Sequence, residues 1–327
     1  MRVAVLGAGA WGTALACHIA RRHGVVLWVR DPGQCALLAS ERRNRRYLPD
    51  AALPDTIEIM ADLPAALAGA DLLVVATSVS GLRPTLVAIA AAGAVPRPLV
   101  WLCKGLEADT GRLAHETAAE LLPDWPLGVL SGPSFAQEVA AGLPAALVSA
   151  SLDTALNERV IEACHHGAMR IYPSADVIGV EVAGALKNVV AIAAGICDGL
   201  QLGNNARAAL IARGLAEMSR LGQAMGGRAE TFMGLAGAGD LVLTCAGDLS
   251  RNRQVGLRLA AGQSLAQIVE SLGHVAEGVR CTRAVMREAA RRHVELPIVE
   301  TVAAILAGEL SAARAVADLM AREPRPE

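Results

Sequence analysis

Aromatic side chains are scarce in this chain, with two Phe, two Tyr and four Trp among 327 residues. That leaves few platforms on which exposed bases could stack and argues against a nucleic-acid binder. An excess of one charge is also missing. Lys plus Arg number 30 against 32 Asp plus Glu, for a formal net charge of −2. No global field recruits nucleic acid or an anionic membrane, so any bound anion must be held locally. The seven cysteines (17, 35, 103, 164, 197, 245 and 281) are scattered without a C-x-x-C pair. Their spacing fits neither a disulfide framework nor a zinc site and suits reduced thiols in a cytoplasm, so no metal is expected. Mean hydropathy is positive at +0.39, yet charges interrupt each apolar stretch before the roughly 20 residues a spanning helix needs. The uncharged run Val3–Ala20 resembles a signal peptide only superficially. Gly7, Gly9 and Gly12 break it, and Arg21-Arg22 follow where a mature chain would begin.

What is present is 53% hydrophobic content, enough for a sizeable core and, at this length, for two domains. Short β-rich runs alternate with helical stretches through the first half: Arg2–Leu6, Val25–Val29, Asp71–Ala76, Pro98–Leu102, Leu127–Leu130, Ala145–Ser149 and Met169–Tyr172. The alternation predicts an α/β, doubly wound, mostly parallel sheet, and the unbroken apolar character of the runs predicts helices on both faces. After about Asp176 only helical patterns remain, in Val177–Cys197, Asn204–Met225, Arg253–Ala261, Leu265–Leu272, Val279–Arg292 and Pro297–Ala307. The expected division is therefore a Rossmann-like dinucleotide-binding domain over 1–177 and an all-helical substrate-binding and catalytic domain over 178–327. Alanine-rich helices in the second half offer a face for a homodimer.

Gly7-Ala8-Gly9-Ala10-Trp11-Gly12 follows the first strand and opens a helix, Trp11–Arg22. In that context G-x-G-x-x-G is a strong signal. Gly7 permits the tight turn, Gly9 lets backbone approach a pyrophosphate, and Gly12 lets helix pack on strand. At the end of the second strand stand Arg30 and Asp31. A guanidinium there suits a 2′-phosphate and favours NADP over NAD, although Asp31 would suit a ribose hydroxyl. The basic run Arg42-Arg43-Asn44-Arg45-Arg46 reads either as a solvated loop or as added attraction for cofactor phosphates.

Lys187 lies in an otherwise almost wholly apolar helix with Ala183 and Ala191 on its face, leaving room for a second group. Desolvation would lower its pKa toward neutrality, the condition for a general acid or base. Gly234-Leu-Ala-Gly-Ala-Gly-Asp240 places a carboxylate after what reads as a flexible glycine-rich turn. Ser250-Arg251-Asn252-Arg253 gathers donors before a helix, with Ser250 also a natural N-cap. Lys104-Gly105 and Ser131-Gly132-Pro133-Ser134 fall at strand C-terminal ends, the edge where open α/β sheets bind ligands.

Taken together, the motifs at 7–16 (GAGAWGTALA), 103–107 (CKGLE), 131–136 (SGPSFA), 185–189 (ALKNV), 237–241 (GAGDL), 250–252 (SRN) and 275–279 (VAEGV) resemble bacterial-type NAD(P)-dependent glycerol-3-phosphate dehydrogenases. The resemblance implies an oxidoreductase that reversibly reduces dihydroxyacetone phosphate to sn-glycerol 3-phosphate and feeds phospholipid synthesis. It implies proton transfer by Lys187, with Lys104 and Asp240 also catalytic. Substrate contacts would come from Lys104, Gly132, Ser134, Lys187, Asp240, Ser250, Arg251 and Asn252. Cofactor contacts would come from Trp11, Arg30, Lys104, Ala136, Arg251, Val275 and Glu277 beside the glycine turn. Two positions depart from the family pattern: Thr77-Ser78 replaces Pro-Ser, and Asp31 replaces a second arginine. A related dehydrogenase acting on a 3-hydroxy acid, and a non-catalytic NADP-binding sensor, are the competing readings.

Overall fold

The run Arg-Val-Ala-Val-Leu forms strand β1 (Arg2–Leu6), near the middle of an eight-stranded sheet, in a computed structural model that describes residues 1–272 and 276–315. Val3 and Val5 enter one apolar layer with Leu15 and Ile19, while Ala4 and Leu6 enter the opposite layer with Leu82 and Leu86. Both faces are covered, which is why these strands read as continuous apolar runs. The remaining strands are β2 (Gly24–Trp28), β3 (Arg43–Asn44), β4 (Leu48–Ala52), β5 (Ile57–Met60), β6 (Leu72–Val75), β7 (Leu99–Trp101), β8 (Leu127–Ser131), β9 (Ala145–Ala150) and β10 (Met169–Ser174). In the sheet their order is β10-β9-β8-β7-β6-β1-β2-β5. All neighbours are parallel except β8 and β9, which pair antiparallel, so the last two strands run against the rest.

Seven of the eight sheet strands coincide with the expected runs, differing by a residue or two at their ends. The eighth, β5, was not expected. It is a short edge strand with Ile57 buried and Glu58 exposed, too brief and too polar to stand out. Strands β3 and β4 form a separate small ribbon that carries the basic run. Asn44 ties this ribbon to the glycine turn: its Nδ2 donates to the Ala8 carbonyl at 2.9 Å and to Thr13 Oγ1 at 2.8 Å.

From residue 177 onward every described regular element is helical. The helix Val177–Gly199 is the axis of this half. By length and composition it passes for a membrane span, but 83% of its apolar window is buried inside the protein. Asp176 starts it, accepting from Gly179 N at 2.9 Å and also from Arg228 N (2.8 Å) and Thr231 Oγ1 (2.6 Å), so one carboxylate fixes two helix starts. The helix Arg251–Ala260 crosses this axis almost backbone to backbone: a Cβ on Gly195 would lie 2.0 Å from the Arg253 carbonyl oxygen, and one on Gly256 2.0 Å from that of Ile192. The glycine-rich segment before Asp240 is not the flexible turn expected. It forms a π-helical turn, Leu235–Gly239, continuous with the helix Asp240–Ala246. Gly237 serves packing there, since a Cβ would meet the Phe232 carbonyl oxygen at 2.0 Å.

The first helix, Ala10–Ile19, is held to the helix Thr154–Cys164 by histidines. His18 and His166 stack at 4.1 Å between ring centroids, His18 Nε2 bonds the Cys164 carbonyl at 2.9 Å, and His23 meets His166 edge-on. His166 Nε2 is buried without a partner. Burial, with His18, Arg22 and His23 adding positive charge, pushes His166 from 6.5 down to about 4. The folded state therefore binds fewer protons than the unfolded chain between these values, and stability is lost as pH falls through that window. Thermal melts from pH 7 to 4 should show a falling acid limb that flattens in His166→Phe, a change that keeps the stack and removes the titration. An identical limb in both proteins would contradict this assignment.

Candidate active site

Strands β1, β6, β7 and β8 run parallel, so their C-terminal ends bring Gly7, Thr77, Lys104 and Gly132 to one sheet edge. The first helix begins there at Gly9 with no side-chain cap and no acidic residue in its first turn. Its free N–H groups and positive end suit an anion. The three glycines differ in what surrounds them. Gly7 has φ +125° and its Cβ would lie 2.7 Å from the Ala76 carbonyl oxygen, and Gly12 would strike the Gly7 carbonyl at 2.1 Å, whereas a Cβ on Gly9 would meet nothing within 4 Å. Trp11 Nε1 and Thr77 Oγ1 are buried beside this turn without hydrogen-bond partners. Open backbone, an uncapped helix and two unmatched polar atoms fit a dinucleotide here.

Arg30 and Asp31 follow β2 and are exposed. The Asp31 carboxylate caps the helix Pro32–Glu41, accepting from Gln34 N at 2.7 Å. That engagement competes with a ribose hydroxyl. In the basic ribbon Arg42 donates to the carbonyls of Pro54 and Ile57, Arg43 to that of Pro49, and Arg45 pairs with Glu41. Much of the run is thus satisfied locally.

The chemistry-bearing groups meet where the helical half reaches Lys104 at this edge. Lys187, on the central helix, donates to Asp240 Oδ1 at 2.5 Å and to Thr244 Oγ1 at 3.1 Å. Lys104 donates to Asp240 Oδ2 at 2.6 Å and to the Gly132 carbonyl at 3.0 Å. One carboxylate therefore sits between two ammonium groups, all three largely buried. Gly184 makes the approach possible: a Cβ there would press on the Lys104 stem at 3.3 Å. Burial lowers Lys187 to about 8, helped by the nearby Lys104 charge and opposed by Asp240. Burial alone would raise the Asp240 carboxyl, but Lys104 and Lys187 together outweigh it and hold it below its ordinary value. The result is an anionic acceptor fixed beside an ammonium that releases its proton near physiological pH.

Around this centre the other expected residues fall as follows. Ser134 donates to the Gly132 carbonyl at 3.0 Å, and Pro133, in the same loop, faces Gly239 next to Asp240. Ser250 caps the helix Arg251–Ala260, accepting from Arg253 N at 3.3 Å, which leaves its own hydroxyl proton to donate. Arg251 lies within electrostatic reach of Glu277 and Tyr47, which oppose but do not cancel the lowering that burial imposes on it. Glu277 opens the helix Glu277–Arg291, and burial raises its carboxyl against the opposing pull of Arg280 and Arg251. Asn252 is bonded on both sides of its amide, to Asn188 Oδ1 at 2.8 Å and from Gly278 N at 3.0 Å, so one N–H is left for a ligand. Arg253 is tied to Asp198 and Asp248 and stands apart from the cleft chemistry. Ala136 begins a short helix packed in the same apolar layer as Trp11. Val275 lies outside the described residues. Two contributors escaped the sequence reading: Thr244, which bonds Lys187, and Asn188, which links Asn252 to the Lys104 carbonyl. Thr244 lies one helical turn after Asp240, a spacing that could have flagged it.

Two family models match, described as the N-terminus and the C-terminus of NAD-dependent glycerol-3-phosphate dehydrogenase, over residues 2–157 and 176–317. A protein of Methylibium petroleiphilum named glycerol-3-phosphate dehydrogenase [NAD(P)+] is 56% identical, covering 100% of this chain and 98% of its own. A crystal structure of glycerol-3-phosphate dehydrogenase from Coxiella burnetii superimposes with a TM-score of 0.94 at 41% identity, over 98% of this chain and 99% of that one. A ketopantoate reductase of Ralstonia eutropha shares the fold, at a TM-score of 0.59 and 17% identity over 97% of this chain and 100% of that one.

Proposed function

The chain belongs to the NAD-dependent glycerol-3-phosphate dehydrogenase family, and on that premise we propose that it reduces dihydroxyacetone phosphate reversibly to sn-glycerol 3-phosphate, for use in phospholipid synthesis. The observation that carries this reading is the Lys104–Asp240–Lys187 triad, two ammonium groups and one carboxylate, with Lys104 on the sheet edge that also carries the glycine turn. When bound, the nicotinamide cofactor supplies the hydride. Lys187 gives its proton to the C2 oxygen as negative charge develops there, and Asp240 with Thr244 aims that ammonium. Lys104 adds positive potential at the carbonyl. Gly132, Ser134, Ser250, Arg251 and Asn252 bind the triose and its phosphate, whose anchoring positions a small, flexible substrate. Gly7, Gly9, Trp11, Gly12, Arg30, Ala136, Arg251, Val275 and Glu277 hold the cofactor. In this assignment residues 1–177 are the cofactor unit and 178–327 the substrate unit. The seven free cysteines suit a reducing cytoplasm.

We favour NADP over NAD because Asp31 is engaged as a helix cap while Arg30 stands exposed at the strand end. The test is reduction of dihydroxyacetone phosphate followed by cofactor absorbance with NADPH and NADH, for the parent and for Arg30→Ala. The parent turns over with preference for NADPH, and Arg30→Ala lowers kcat/KM for NADPH about 10- to 100-fold while leaving NADH nearly untouched, the loss of charge-assisted hydrogen bonds to one phosphate. Turnover of a 3-hydroxy acid in place of the triose phosphate would overturn the substrate assignment. Equal efficiency with both cofactors would overturn the cofactor assignment alone.

A further inference from the structure

A buried carboxylate outside the triad connects the two lysines through the protein. Glu181 lies on the central helix six residues before Lys187, with 3% of its side chain exposed. All three of its hydrogen-bond donors come from the dinucleotide-binding half: Trp101 Nε1 at 2.8 Å, His115 N at 3.0 Å and His115 Nδ1 at 2.5 Å. Trp101 ends β7, three residues before Lys104, and His115 lies in the first turn of the helix Ala114–Leu121. The segment between them carries Lys104 and buries Leu106 and Leu113 in the helical core. Both ends of that segment thus hang on one carboxylate, and the Lys104 stem lies over Gly184, one turn further along the same helix.

We propose that Glu181 is a positioning residue that clamps the Lys104 segment onto the helix carrying Lys187, holding the two ammonium groups in register across Asp240. The inference rests on the proposed reading of Lys104 as a working group. A buried ion pair that merely stabilised the domain junction would account for the burial and the short His115 contact. It would not require the donors to bracket the segment carrying Lys104, nor Glu181 to share a helix with Lys187. If the clamp acts through Lys104, its loss matters only while Lys104 is there to be misplaced.

The experiment is a double-mutant cycle on kcat for dihydroxyacetone phosphate reduction in the full chain, using Glu181→Ala, Lys104→Ala and the double variant, with circular dichroism to check folding. Glu181→Ala should lower kcat about 100-fold, the cost of a misplacement near 1 Å, with KM for the cofactor roughly unchanged. In the Lys104→Ala background the same change should cost less than about threefold, because coupled groups are not additive. Glu181→Gln should restore most of the rate, since an amide oxygen still accepts from Trp101 and His115 N while its NH₂ donates to Nδ1 of a neutral imidazole. A full additional loss in the Lys104→Ala background, or a Gln variant no better than Ala, overturns the clamp. If Glu181→Ala does not fold, Trp101→Phe, which removes one donor and keeps a ring, goes through the same cycle with the same criteria. A parental kcat in Lys104→Ala alone would instead overturn the reading of the site, and the clamp with it.

Discussion

Lys187→Ala should lower kcat for triose phosphate reduction by about 10³-fold, within the range that general acid catalysis supplies, while the protein stays folded and binds cofactor. The fold should survive because Asp240 keeps its 2.6 Å contact to Lys104 after the change, so no carboxylate is left buried and unpaired. Cofactor binding should survive because the Lys187 ammonium bonds Asp240 and Thr244 and no atom of the glycine turn. The pH profile of the parent gives a second reading of the same group. Reduction needs the charged ammonium as donor, and burial sets its pKa to about 8 in the unliganded protein, so kcat/KM for reduction should fall as pH rises through that value. Oxidation of sn-glycerol 3-phosphate needs the neutral amine and should rise through it. A Lys187→Ala enzyme that keeps the parental rate, or that loses cofactor binding in a titration of cofactor fluorescence, would remove Lys187 from the chemistry.

The sequence carried the architecture well because the sheet is buried on both faces, and such strands announce themselves as unbroken apolar runs between turns. β5 escaped for the converse reason: an edge strand with one face toward water leaves a pattern as weak as Ile-Glu-Ile-Met. At the site, Gly7 and Gly12 were legible because each position demands glycine on different steric grounds, and Lys187 because an ammonium in an apolar helix face is costly without a purpose. Asp240 was found, but its surroundings were misjudged. Glycines at 234, 237 and 239 were read as freedom, whereas Gly237 is forced by contact with Phe232. What local pattern could not give was pairing across long sequence separations. Nothing near Glu181 points to Trp101 or His115, nothing near Asn44 points to Ala8, and the division of Asp240 between Lys104 and Lys187 exists only once both halves of the chain have folded together. The role of Asp31 as a cap was written in Asp-Pro-Gly-Gln and is a local signal that competed with the ligand reading.

Asp240→Asn is expected to move the pH optimum of reduction and to weaken the fold together. In the parent each carboxylate oxygen takes one ammonium. An amide offers one oxygen and one NH₂, so one lysine would face a donor where it had an acceptor, and the attraction holding both charges in a largely buried space would vanish. Breaking a buried pair in this way costs on the order of 3 kcal/mol, the low end of the range. The low end applies because Lys187, already displaced to about 8 by burial, can shed its proton rather than remain charged. Its pKa then falls further, since Asp240 is the charge that opposes desolvation. At neutral pH half or more of the donor is neutral and the ammonium has also lost the carboxylate that aims it, so the rate of reduction should drop about 100-fold, with partial recovery on acidification where the ammonium returns. Measured kcat/KM–pH curves for parent and variant, with thermal melts at the same pH values, separate this from simple unfolding: the alkaline limb should shift to lower pH by at least about one unit, a change of 1.4 kcal/mol in the balance between protonation states. An alkaline limb that remains near 8 in Asp240→Asn would mean that the carboxylate does not set the lysine's charge, and the triad would have to be read as a structural salt bridge.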